Sequence, residues 1–497
     1  MRDTVPLRNS SLARLATKIK RPAYERNGVG SGVVHFGVGA FNRSHLAVYL
    51  DDLLCLGEDK RWGESGIGLL EGDLRLNAAL TEQDNLYGLL SIDNDDLSYR
   101  IIGSLNGHLY APEARESVIE KLASAECGIV SLTVTEGGYF VEDTTHKFLE
   151  QHPDIQLDLS HPEQPRTWVG FVAQACQRRM EKGGAPFTLL SGDNVHENGA
   201  VARAALLSFA ELRATPLRRW IEQNVSFPNS MVDRITPRTT DENRAVIADQ
   251  FGVQDLAPVV CEPFRQWVLE DNFVAGRPKW ELVDVQMTGD VAPYEKMKMR
   301  LLNGGHSTVG YVGDLLGYSY IAEAAGDPEL GDLLRHFMET VRPTLSPVPG
   351  INLNDYTKSI VRRFSNHAMR DQVARICSDG CAKIAKFILP SLRDILTSGR
   401  DAQILAFVIA GWLHYLRGFD ENGRSMTISD GGLGSLKPFR DSGSANARLA
   451  LETRAVFGDL ATAHPVVVEL VQAKLDDLRN HGVRAAISNT LAAPKAA

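Results

Sequence analysis

The run Tyr294-Glu295-Lys296-Met297-Lys298-Met299-Arg300-Leu301-Leu302-Asn303-Gly304-Gly305-His306 brings an amine, a carboxamide and an imidazole close together along the chain. It reads as the start of a helix. At the α-helical step, Asn303 stands roughly 140° and His306 roughly 80° around the axis from Lys298, so one face can carry all three. Oxidising a secondary alcohol needs a group that takes the hydroxyl proton while a hydride leaves the carbon. It also needs donors for the developing alkoxide. Lys298 can be that base only when neutral, which requires desolvation or a neighbouring cation such as Lys296 or Arg300 to lower its pKa. Asn303 can donate to the alkoxide, and His306 can orient the amine or a substrate hydroxyl. An ordinary amphipathic helix with a solvated lysine fits the same spacing, and the residues alone leave both readings open.

A second carboxamide, Asn194, follows the apolar run Phe187–Ser191 and could complete an oxygen-binding pocket with Asn303. The segment Val33-Val34-His35-Phe36-Gly37-Val38-Gly39-Ala40-Phe41-Asn42-Arg43-Ser44-His45 is an apolar strand entering closely spaced glycines and then a helix. Such a turn lets backbone N–H groups approach a pyrophosphate. Gly37 and Gly39 supply two glycines of the dinucleotide fingerprint and Asn42 stands at the third, so a turn without a ligand is an equal reading. A strand over Ile67–Glu71 would end in the acid that receives ribose hydroxyls. A carboxylate there repels a 2′-phosphate and favours NAD over NADP, although a merely solvated acid fits as well. Thr135 closes the strand predicted over Gly128–Thr135 and Glu136 follows it, at the carboxyl end where ligands of open α/β sheets bind. Asp233 lies beside a short apolar run. Arg375 and Lys383, eight residues apart on a predicted helix, could meet a polar substrate or simply form surface ion pairs.

The elements that must position these groups divide the chain. Its 497 residues suit two domains, set at 1–290 and 291–497. Up to about Asp284, short apolar runs at Val33–Phe36, Ile67–Glu71, Gly128–Thr135 and Phe187–Ser191 alternate with amphipathic segments. That is the pattern of an α/β Rossmann-type domain. Beyond Val291 the segments Glu295–Leu316, Leu330–Val341, Asp355–Phe364, Gln372–Leu389 and Gln403–Arg417 all carry helical periodicity, so the second domain should be mostly α-helical.

Composition excludes several classes. With 53 basic and 62 acidic residues the net charge is −9, and no basic run could follow a phosphate backbone, so nucleic acid is not expected. No apolar stretch is long enough to span a membrane and the N-terminus has no apolar signal core, which places the protein in the cytoplasm. The six scattered cysteines read as reduced thiols. Cys377 and Cys381 lack a second ligand pair, so no metal is expected.

Taken jointly, several motifs resemble the polyol-specific long-chain dehydrogenase/reductase family, the mannitol dehydrogenases, from about Val33 to Asp430. They are His35–Phe41, Thr133–Tyr139, Asp193-Asn194, Ser226–Asn229 with Met231–Arg234, Cys261–Phe264 and the Lys-x4-Asn-x2-His set. The resemblance implies a cleft between a Rossmann-type domain and a helical domain, zinc-independent catalysis by Lys298, and alkoxide binding by Asn194 and Asn303. It implies substrate contacts from His306, Asp233, Arg375 and Lys383, with Glu136 bordering a proton exit route. NAD would be met by Gly37, Gly39, Phe41, Arg43, Glu71, Thr135 and Glu136. The implied reaction links a polyol to a ketose, D-mannitol to D-fructose foremost, in a monomer or weak homo-oligomer. A hexuronate reductase of the fructuronate type, another polyol substrate, and a nucleotide sensor without turnover are the alternatives. Three positions depart from the family pattern: Gly192 for a common cysteine, Asn42 for a common histidine and Cys381 for a common serine.

Overall fold

A computed structural model describes residues 4–142 and 147–492. The chain divides into two compact units, Met1–Val291 and Ala292–Ala497.

The first unit is built on a five-stranded parallel sheet: β1 (Val33–Phe36), β2 (Glu64–Gly68), β3 (Leu105–Tyr110), β4 (Ile129–Leu132) and β5 (Thr188–Ser191), in the order β3-β2-β1-β4-β5. Strands β1, β4 and β5 are buried at every residue, which is why they read as near-continuous apolar runs rather than alternating ones. Helix Trp168–Lys182 covers one face. Its start is capped by the Thr167 side chain accepting from the Gly170 N–H, and it stops at Gly183 in the left-handed region. Trp168, Phe171 and Val172 from this helix pack into one core with Val34, Phe36 and Val130, and each such fully buried side chain contributes about 1.5–3 kcal/mol. Two smaller sheets complete the unit. One joins Tyr87–Asp93, Asp96–Ile102 and Val259–Cys261; the other joins Ser230–Asp233, Gln266–Glu270 and Gln286–Thr288.

The strand expected over Ile67–Glu71 is shifted. It runs over Glu64–Gly68, and Glu71 lies in the turn that follows, where Asp73 accepts from the Leu70 N–H. The long separation between Gly37 and Glu71 is taken up by two helical pieces, Ala40–Ser44 and Leu46–Cys55, broken at His45, and by a 3-10 turn at Lys60–Trp62.

The second unit is helical. Helix Gln403–Tyr415 is buried all round, as expected of a helix apolar on every face. Helix Pro328–Val341 starts on an Asp327 cap that accepts from Glu329 and Leu330, with proline in the first turn, and helix Leu353–Phe364 starts on an Asn352 cap. The single helix expected over Gln372–Leu389 is interrupted. Helix Val373–Cys377 ends at Ser378, and Asp379 sits at φ 52 before a new helix begins at Gly380. A Cβ at Gly380 would overlap the Trp412 indole nitrogen, so glycine is required by close approach. Cys377 and Cys381 therefore fall on separate helices. Among the described residues no helix is long and apolar enough to cross a membrane.

Candidate active site

In the first unit the carboxyl ends of β1, β4 and β5 are stitched together by polar groups. Gly37 leaves β1 at φ 89, and a Cβ there would overlap the carbonyl of Thr133, so only glycine fits. The Thr133 hydroxyl donates to the Gly37 carbonyl at 2.7 Å, and His35 bridges Ser131 Oγ (2.7 Å) and Thr133 Oγ1 (2.9 Å). Burial holds the His35 imidazole down to about 3, so it is neutral. With the Thr133 proton committed to Gly37, Nε2 carries the imidazole proton and Nδ1 accepts from Ser131. Gly39 lies exposed, and a Cβ on it would meet nothing nearer than the Gly37 carbonyl at 3.8 Å. This bare backbone is a cradle into which a pyrophosphate can settle.

The other residues expected at the cofactor have mixed placements. Phe41 stacks on His45 at 5.0 Å between ring centroids. Arg43 turns inward, with its buried guanidinium donating to the carbonyls of Gly39 (3.2 Å) and Ala257 (2.5 Å), so it braces the turn from behind. Asn42, at the third fingerprint position, is buried and faces Glu64. Glu71 is exposed at the end of β2, as are Thr135, Glu136 and Asn194 beyond β4 and β5. The sequence placed Asp193 in a family motif with Asn194 but gave it no role of its own. Its carboxylate accepts from the N–H groups of Val134 and Thr135, each at 2.9 Å, and from the Tyr139 hydroxyl at 2.7 Å. Only the polar Asp-Asn pair after an apolar run could have signalled it.

In the second unit Lys298, Asn303 and His306 lie on one helical run from Ala292 to Leu315, but the run is not regular. Lys298–Asn303 forms a π-helical turn, closed by Gly304 N–H donating to the Met299 carbonyl. Such a turn advances roughly 82° per residue, which places Asn303 about 50° and His306 about 10° from Lys298 around the axis, tighter than a plain α-helix allows. Lys298 is buried at 8% exposure, and the His306 ring stacks on Phe364 at 3.9 Å. Arg300, considered as a cation acting on Lys298, is instead paired with Asp394 at 2.6 Å and bonded to Thr344, so its charge is compensated.

Asp233 is buried on strand Ser230–Asp233. The helical phase expected to relate Arg375 to Lys383 does not hold, because the chain breaks between them. Arg375 takes both carboxylate oxygens of Asp371, and the Lys383 ammonium donates to the carbonyls of Arg375 and Ile376, capping that helix end. Burial, then the Arg375 charge, lowers the Lys383 pKa. Among the described residues no group of three or more His, Cys, Asp or Glu side chains is placed to hold a metal ion.

Comparison with known proteins agrees over nearly the whole chain. The family profile described as the mannitol dehydrogenase Rossmann domain matches residues 31–282, and that of the mannitol dehydrogenase C-terminal domain matches 290–479. Mannitol dehydrogenase DSF1 of Saccharomyces cerevisiae is 42% identical over 98% of this chain and 97% of its own length. The mannitol 2-dehydrogenase of Phaeosphaeria nodorum is 41% identical over 98% of this chain and 85% of its own. Among solved structures, Pseudomonas fluorescens mannitol 2-dehydrogenase in ternary complex with NAD and D-mannitol matches with a TM-score of 0.88 and 43% identity, covering 99% of this chain and 100% of that one. A substrate-free D-sorbitol dehydrogenase matches with a TM-score of 0.90 and 37% identity, covering 97% and 100%.

Proposed function

The chain belongs to the mannitol dehydrogenase family, and from that premise we propose that it transfers a hydride between NAD and a polyol–ketose pair, D-mannitol and D-fructose first. The observation that carries this reading is the buried Lys298 at the head of a π-helical turn that ends in Asn303. A solved relative that holds both NAD and D-mannitol supports it.

In this reading Gly37, Gly39, Phe41, Glu71, Thr135 and Glu136 hold the dinucleotide, with Arg43 acting through the turn it braces. The Glu71 carboxylate favours NAD over NADP. When bound, NAD accepts the hydride from the alcohol carbon. Lys298 Nζ, uncharged, takes the hydroxyl proton and becomes the ammonium, and the carbon–oxygen double bond forms as the hydride departs. Asn303 and Asn194 donate amide N–H groups to the oxygen as its charge grows, which stabilises the alkoxide more than the alcohol. His306 and Asp233 fix the substrate's other hydroxyls, and Glu136 receives the proton on its way to solvent. A carboxylate substrate of the fructuronate type would need free cations. Arg375 is paired with Asp371, and the Lys383 ammonium is spent on the carbonyls of Arg375 and Ile376, which speaks against it. The protein acts as a monomer or weak homo-oligomer in the cytoplasm, where its six unpaired cysteines stay reduced.

NADH absorbance with mannitol, sorbitol, arabinitol and fructuronate, using NAD and NADP in turn, tests the substrate. Mannitol with NAD should give the highest kcat/KM, and turnover of fructuronate alone overturns the assignment. Lys298→Ala should abolish oxidation while NADH still binds; near-wild-type turnover in that variant removes Lys298 as the base.

A further inference from the structure

Thr135 has φ 63 and ψ 169, a backbone conformation that a β-branched residue adopts only when its surroundings impose it. The imposing group is Asp193. One carboxylate oxygen accepts from the Thr135 N–H and the other from the Val134 N–H, so two successive peptides are gripped at once. The carboxylate is itself fixed by the Tyr139 hydroxyl, which also meets Ser191 Oγ at 2.5 Å. From the other side, Asn198 donates its amide to the Asp193 carbonyl. The rest of the turn is pinned as well: Gly138 N–H donates to the Thr135 carbonyl, and the Trp168 indole donates to the Gly138 carbonyl.

We infer that Asp193 is a positioning residue for the reaction: its carboxylate holds Thr135 in the strained conformation and thereby sets both Glu136, the next residue on the gripped turn, and Asn194, its own chain neighbour. The geometry explains why an acid is needed. Two backbone donors and a phenol converge on it, and three donors at one side chain require the four lone-pair sites of a carboxylate. A carboxamide of the same shape would offer one oxygen to one peptide and turn its NH2 toward the other, donor against donor. Burial raises the Asp193 pKa while these hydrogen bonds pull it back. A backbone outlier of this kind, held in place by a dedicated side chain, belongs with function.

The inference rests on the proposed polyol oxidation, and the test separates the two. Wild-type protein is first assayed with NAD and the polyols above; absence of any turnover fails the functional reading, and stability then judges the clamp alone. With a turning-over wild type, Asp193→Asn should lower kcat/KM for mannitol about a hundredfold, the loss expected from a displacement of about 1 Å at a reacting site. Adding Thr135→Gly to that variant should recover at least about tenfold, because glycine takes φ 63 without strain. Wild-type kcat/KM in Asp193→Asn overturns the inference, and so does a loss that the glycine fails to rescue. Should Asp193→Asn not fold, Thr135→Gly in the otherwise unchanged protein decides by its thermal midpoint. A midpoint above wild type shows strain relieved; a fall of several degrees shows there was none.

Discussion

Replacing Glu64 with glutamine should stabilise the protein, and by an amount that depends on pH in a defined way. Glu64 opens β2 with no exposed surface, its Oε2 meeting only the Asn42 amide at a long 3.4 Å. Its Oε1 and the Asn42 Oδ1 are buried without a partner among the described residues. Desolvation pushes this carboxyl up to about 8 from an ordinary 4.5, with the Asn42 hydrogen bond opposing only slightly. A carboxyl raised by folding contributes its full stability below its unfolded value and loses it as pH rises toward its folded value. The loss therefore begins near pH 4.5 and ends near pH 8. At about 1.4 kcal/mol per pH unit, it reaches on the order of 3 kcal/mol by pH 7. Glutamine never ionises, and its amide can donate to the idle Asn42 oxygen. The variant should match wild type at pH 4.5 and exceed it by about 3 kcal/mol at pH 7. Urea unfolding followed by tryptophan fluorescence at half-unit pH steps measures this, because Trp62, Trp168, Trp267 and Trp280 lie in the same unit. An equal stability difference at every pH would refute the reasoning, and so would a glutamine variant less stable at pH 8.

Gly37→Ala should weaken NADH binding at least about tenfold, read by fluorescence titration, since the alanine pays about 1–2 kcal/mol at φ 89 and must also displace the Thr133 backbone; unchanged affinity would show that the turn does not meet the cofactor. Arg179 is buried without a carboxylate partner among the described residues and donates to the carbonyls of Leu122, Ser124, Cys127 and Ala185. Arg179→Met should cost about 3–5 kcal/mol in urea unfolding, because those carbonyls lose their donor in the interior, and a cost below about 1 kcal/mol would show that water replaces the guanidinium.

Much of the architecture could be read from pattern. Val33–Phe36 is a strand in the structure as in the sequence because three of its four residues are apolar β-formers preceding a glycine turn, and both faces of the strand are covered. The helix expected over Leu330–Val341 announced itself through its apolar periodicity, although it starts two residues earlier, at Pro328 after the Asp327 cap. The misreadings have physical causes. The apolar run Ile67-Gly68-Leu69-Leu70 attracted the second strand toward its end, yet pairing with β1 fixes the register from Glu64, a buried acid that no hydropathy rule would place inside. The break at Ser378–Asp379 lay hidden because the periodicity on its two sides is helical, and only the Ser-Asp-Gly turn chemistry hinted at it. At the site, the residue types at Lys298, Asn303 and His306 were legible, but their angular relation was not, since no propensity scale separates a π turn from an α turn. The grip of Asp193 on Thr135 was illegible for a different reason. It joins residues 58 apart in the chain, and a threonine gives no local sign that it will be forced to positive φ.

The widened turn at Lys298–Asn303 amounts to one surplus residue spliced into an otherwise regular spiral. Everything on the Gly304–Leu315 side is thereby rotated as a block relative to everything on the Ala292 side, like a screw advanced by an extra fraction of a thread. Spacing counted along the chain is thus a poor guide to facing in this stretch. The same residues wound as a plain α-helix would spiral more regularly and could pack comfortably, yet the amide and imidazole would have swung about a quarter-turn away from the amine. Sturdiness and competence would part company there, which makes the winding of this stretch, as much as its composition, something the chemistry must preserve.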